Sequence, residues 1–236
     1  MQKAKQIANG AFAQFGKLWK VFLYLYIPII LLFFTLHAIS GSSDRITLSY
    51  FTRDISAIGD LPFFAGLVSQ IGGLLWSAAL AVCVFTFFIL RRQSPHAGSA
   101  RRYLAHAAIL SAVLMLDDFF LFHEDIGPDY LGIREKVIIL SYLILCALFL
   151  VLNVNEILAS EYVILGAALV MFGTSIFLDA ANLNDFEEYG SFFSEQFQIF
   201  LEDGFKFVGV ATWLAYFARY GFQKIIALQP ESEGSP

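Results

Sequence analysis

The sequence predicts an all-α, polytopic membrane protein: a transmembrane helix bundle of about six spans with both termini cytoplasmic. Three observations carry that reading. Apolar residues make up 58% of the 236 positions and charged residues only 15%, against roughly 25% charged in soluble domains. Phe alone occurs 26 times and outnumbers the 15 Lys and Arg together, so there is too little polar surface to cover a water-soluble globule. Several apolar stretches reach the roughly 20 residues that a helix needs to cross a bilayer.

The spans are expected at about 19–40, 63–90, 103–124, 136–153, 161–181 and 196–219. The first is too long for the apolar core of a cleavable signal peptide, and no small-residue cleavage site follows it. The second is longer than necessary and carries Gly72-Gly73, which read as helix-packing glycines together with Gly66. Between the first two spans, residues 41–62 mix Gly, Ser and Asp with Tyr50 and Phe51, which suits a short interfacial helix. A single transmembrane domain over 1–225 is expected, followed by a disordered tail at 226–236, where the sequence ends QPESEGSP.

Basic residues set the direction. Lys3, Lys5, Lys17, Lys20, Arg91, Arg92, Arg101, Arg102, Arg219 and Lys224 fall on one side; Arg45, Arg53, Arg134 and Lys136 fall on the other. Both termini are therefore expected in the cytoplasm, and a bacterial cytoplasmic membrane is the expected location. The formal charge of −5 argues against nucleic acid as a partner, which a basic patch would have to attract. Membrane lipid is the expected surrounding, self-association into a homo-oligomer is left open, and no protein partner is legible. Cys83 and Cys146 lie inside apolar runs and read as small hydrophobes.

Ionisable groups then stand where hydrocarbon is expected. The third span ends LMLDDFFLFHED, with Asp117, Asp118, His123, Glu124 and Asp125. The fifth ends SIFLDAANLND, with Asp179, Asn182 and Asn184. The sixth begins SEQFQIFLEDGFKFVG, with Glu195, Glu202, Asp203 and Lys206. Under the assigned topology all three clusters fall in the outer half of the membrane. At 100° per residue Asp117 and Glu124 share one stripe, and Glu202 and Lys206 share another, where they could form an i,i+4 ion pair. His123 points away from its neighbours' stripes unless the helix unwinds before Gly127-Pro128. The acid-rich stripes are expected to make the third and sixth spans direct neighbours.

An ionisable side chain near the bilayer centre costs about 2.5–3.5 kcal/mol, so six acids against Lys206 require compensation. Three readings stay open. A divalent metal, Zn, Fe or Mn, could be held by Asp117, Asp118, His123, Glu124, Asp179, Glu202 and Asp203 with His37 from the first span. That site would serve a metal-dependent hydrolase or transferase with metal-bound water as nucleophile. Alternatively the acids form the relay of a proton- or cation-coupled transporter or channel. In the third reading they are protonated and structural, in a non-catalytic membrane subunit.

The string LDDFFLFHEDIG resembles the D-[DE]-x4-H-E signature of a family of uncharacterised bacterial multi-pass membrane proteins. LEDGFKFVG is similar to their later E-[ED]-x2-[EK]-x2-G segment. The resemblance implies that the cluster matters to the group, and it assigns no role to Asp117, Asp118, His123, Glu124, Glu202 or Asp203.

Overall fold

The structure, a computed structural model, describes residues 2–41, 51, 55–62, 64–94, 97–180 and 195–228. The described residues are helical, with no strand among them. The chain divides into two compact units, Met1–Ala65 and Gly66–Pro236. The first unit holds α1 (Gln2–Gly41), with Pro28 inside it, and the one-turn α2 (Ile55–Ile58).

The second unit begins at Gly66, whose φ of 66° places it in the left-handed region, which glycine enters without the Cβ penalty. It is therefore a helix-entry residue rather than the packing glycine expected. The unit contains α3 (Leu67–Gln93), α4 (Gly98–Phe120), a π-helical segment (Phe122–Tyr130), α5 (Glu135–Leu152), the short α6 (Val154–Leu158), α7 (Tyr162–Ala180) and α8 (Glu195–Ile226). Four of these, α3, α4, α5 and α7, are long and apolar enough to cross a membrane. α1 and α8 cover the expected first and sixth spans. Residues 229–236 of the expected tail lie outside the described residues.

Packing follows the small residues. Gly72 and Gly73 are buried on α3, and a Cβ at Gly73 would meet the Phe119 ring of α4 at 2.5 Å. Gly209 of α8 holds the same relation to Phe172 of α7, at 2.8 Å. Close approach of this kind is how helices associate in lipid, where no hydrophobic force distinguishes a neighbouring helix from an acyl chain. α8 packs its backbone chiefly on α7 and α3, while α3 packs on α4. The expected contact between the third and sixth spans is thus made by long side chains rather than by backbone against backbone.

An aromatic cluster fills the middle of the unit. Trp213 is 1% exposed and lies 5.0 Å from Phe217, 5.9 Å from Phe149 and 6.2 Å from Trp76, centroid to centroid. Its indole N–H donates to Ser111 Oγ at 3.0 Å, so a buried polar handle is satisfied. Trp76 stacks on Phe172 at 5.7 Å with the rings nearly parallel.

Toward the Arg91–Arg102 end, polar side chains tie the short α6 to α4 and α8. The hydroxyls of Tyr103 and Tyr216 lie 2.7 Å apart, and Ser160 Oγ lies 2.7 Å from Tyr216. Glu156 accepts from Ser99 (2.5 Å), Tyr220 (2.7 Å) and Lys224 (3.2 Å). Burial pushes the Glu156 carboxyl up, but these three donors outweigh it and hold it below the usual carboxylate range. Arg219 clasps Glu161 through two nitrogens at 2.5 Å, and this hydrogen-bonded pairing lowers the Glu161 carboxyl as well. These acids occupy the loop at 153–161 that carries no basic residue of its own, and their cations come from α8.

Candidate functional site

α4 ends at Leu121, which adopts φ 49° and ψ 46°. A left-handed leucine costs conformational energy, because its Cβ crowds the following carbonyl. The backbone then turns into the π-helical segment, and the break brings His123 back over the end of α4. The His123 backbone N–H donates to Asp117 Oδ1 at 3.0 Å, and its Nδ1 lies 2.6 Å from Asp117 Oδ2. The Tyr142 hydroxyl of α5 donates to Asp117 Oδ1 at 2.8 Å. The carboxylate therefore satisfies both the chain reversal and a neighbouring helix. The imidazole's other nitrogen, Nε2, faces Glu124 Oε1 at 3.4 Å. His123 thus stands between two carboxylates, an arrangement that a continuous helix would forbid.

On α8, Lys206 forms its ion pair with Asp118 of α4. The expected partner was Glu202, four residues earlier on the same helix. Glu202 still feels the ammonium electrostatically, but the close contact goes across to Asp118. An i,i+4 pair on one helix would have left Asp118 without a cation, although its side chain is only 9% exposed. An enclosed charge left unpaired carries a desolvation penalty, and the cross-helix contact offsets it.

These groups line one cavity of about 250 Å³ between α4, the π-helical segment and α5 on one side and α7 and α8 on the other. Asp117, Asp118, His123, Glu124, Asp179, Glu202, Asp203 and Lys206 all belong to its wall. Trp76 and Phe172 line it too, with Leu143, Cys146 and Ile176 among the apolar remainder. A water-sized cavity of about 30 Å³ lies on the α3 side and shares Asp118, Asp203 and Lys206 with the larger one, so the ion pair partitions the two. Glu202 is repelled by Asp179, Asp203 and Glu124. No basic side chain lies within ion-pair distance of Asp179, Glu202 or Asp203 among the described residues.

Seven of the eight residues expected as metal ligands line this cavity. His37 has an exposed side chain on α1, in the other unit. Among the described residues no three His, Cys, Asp or Glu side chains are arranged to hold a metal ion. His123 in particular already faces a carboxylate with each of its two ring nitrogens. Asn182 and Asn184 lie outside the described residues. His106 sits far from the cavity, with Nδ1 at 3.1 Å from Asn153 Oδ1.

Residues 18–220 match a family described as "Domain of unknown function (DUF8692)". The chain belongs to the DUF8692 family. No curated protein and no solved structure matches it. In this DUF8692 chain the matched stretch contains every residue of the cavity wall, and it also spans the segments 116–127 and 201–209.

The sequence offered no sign of three contributors. Tyr142 reads as one aromatic among many, and only the placement of α5 against the end of α4 turns its hydroxyl on Asp117. Ser175 and Cys146 read as packing residues, and both line the cavity. Ser175 shares a helix face with Asp179 at i,i+4 spacing, a relation legible only once Asp179 is known to face a cavity.

Proposed function

We propose that this protein is a proton- or cation-coupled membrane transporter, in which the acid-lined cavity takes up the coupling ion. The observation that carries the reading is the row Asp117–His123–Glu124, an imidazole facing a carboxylate on each side. Such an imidazole can accept a proton at one nitrogen and release one from the other, and histidine is the side chain suited to doing so near neutral pH. Glu202, facing Asp179, Asp203 and Glu124, extends the row across the cavity. Intramembrane acids of this kind commonly mark ion and proton pathways. The aromatic cluster around Trp213 lies on the inner side of the cavity, so passage requires that cluster to rearrange, which suits a carrier rather than an open channel.

The experiment is proton flux in proteoliposomes carrying an imposed pH gradient, read with an entrapped pH-sensitive dye. The native protein should dissipate the gradient faster than protein-free vesicles. Glu202→Gln and Glu124→Gln should reduce that rate about tenfold while leaving thermal stability nearly unchanged. Native flux equal to that of empty vesicles would overturn the reading. A stoichiometric transition metal in the purified protein, lost in Glu202→Gln, would favour the metal-dependent enzyme instead.

Six spans and cytoplasmic termini belong to the same proposal, supported by the helices at all six expected positions and by the bias of the basic residues. Single cysteines at Ser94 and Asp129 test it in intact cells with an impermeant thiol reagent. Asp129→Cys should label from outside and Ser94→Cys should not. The reverse pattern would place the cavity on the cytoplasmic side.

A further inference from the structure

The geometry points to a ligand for the cavity: a primary ammonium ion carrying one aromatic ring. The inference rests on the transport reading's cavity and names what it would take up besides protons.

Two of the acids have found partners within the protein, Asp117 with the His123 imidazole and Asp118 with the Lys206 ammonium. Asp179, Glu202 and Asp203 have no such partner within ion-pair distance among the described residues, and they line the same wall. A second observation is independent of charge. Ser175 is only 6% exposed and lines the cavity, yet its hydroxyl makes no hydrogen bond among the described residues. Other helical hydroxyls here, those of Ser77, Thr174 and Thr212, fold back onto the carbonyl four residues earlier. That hydroxyl is not sealed from solvent, so a group bound in the cavity can bond to it in place of water. Ser175 lies one turn below Asp179, so a single ammonium could donate to both, with further donors for Glu202.

The remainder of the ligand is read from the floor. Trp76 and Phe172 are stacked on each other at 5.7 Å, and with Leu143 and Ile176 they give the cavity an apolar, partly aromatic lining against which another ring packs. Volume limits the choice. A dry apolar cavity of about 150 Å³ admits benzene, so 250 Å³ takes one ring and a short ammonium arm. A phospholipid's ethanolamine headgroup offers the same ammonium chemistry but no ring for the aromatic lining, which makes it the weaker source.

Cys146 provides a reporter, since it lines the cavity while Cys83 is fully buried. The test is the rate at which Cys146 of the full-length protein in lipid nanodiscs reacts with thiosulfonate reagents, with Cys146→Ala as the blank. The cationic reagent should react at least tenfold faster than its anionic counterpart. Phenethylammonium should slow labelling in a saturable way, while phenethyl alcohol and ethanolamine at equal concentration should not. Ser175→Ala and Glu202→Gln should each weaken that protection about fivefold or more. Equal protection by the alcohol would show an apolar pocket with no ammonium site, and equal protection by ethanolamine would show a headgroup site; either overturns the proposal. So does protection that neither substitution changes. Protection as expected in a protein without proton flux would refute the transport reading and leave this binding site standing.

Discussion

Trp213→Ala is expected to destabilise the second unit by about 3 kcal/mol, the low end of the roughly 3–5 kcal/mol range for truncating a buried Trp. The low end applies because the unfolded reference of a membrane protein is itself in lipid, where the transfer part of the loss is small. What remains is lost packing and a lost hydrogen bond. Trp213 touches rings from α3, α5, α7 and its own helix, and its truncation empties the point where they meet. Trp213→Phe retains most of that volume but strands Ser111, whose hydroxyl receives the indole N–H; about 1 kcal/mol is the expected cost. Reversible unfolding by sodium dodecyl sulfate in mixed micelles measures both. Equal losses for Ala and Phe would mean that the hydrogen bond, rather than the aromatic packing, holds this region.

The second large effect is an asymmetry at the ion pair. Lys206→Met should cost about 3–5 kcal/mol, because it leaves Asp118 enclosed and without its cation. Asp118→Leu should cost less, since Lys206 still has Glu124 and Asp203 to attract it. The double variant should recover most of the single Lys206→Met loss, because removing both charges removes the desolvation penalty along with the attraction. The same unfolding measurement decides it. A double variant as unstable as Lys206→Met alone would show that Asp118 and Lys206 contribute through separate contacts.

The two predictions concern features that were legible to different degrees. Asp118 and Lys206 were both visible as charges in apolar helices, and the need for compensation followed from their cost in hydrocarbon. Their pairing did not follow. Helical periodicity relates residues on one helix only, so it put Lys206 with Glu202. Trp213 was one aromatic among many until helices from four parts of the chain converged on it. Similarly, the proposed excursion of His123 hinged on whether α4 continued past Phe120. Periodicity favours continuation, and only the left-handed Leu121 and the contacts of Asp117 reverse it.

By itself the sequence determined that the chain is helical and apolar enough for a membrane, because composition and the length of apolar runs are local quantities that the bilayer tests directly. It also determined which side chains had to seek partners, because burying a charge is costly whatever surrounds it. Tertiary structure alone decided the rest. It chose which acids gained a cation, which nitrogen of His123 faced which carboxylate, and which apolar residues became a cavity floor rather than a lipid-facing surface. Those outcomes depend on where helix axes and helix ends come to rest. In lipid that is set by close packing of small residues such as Gly73 and Gly209 against particular rings, an interaction with no periodic signature in the chain.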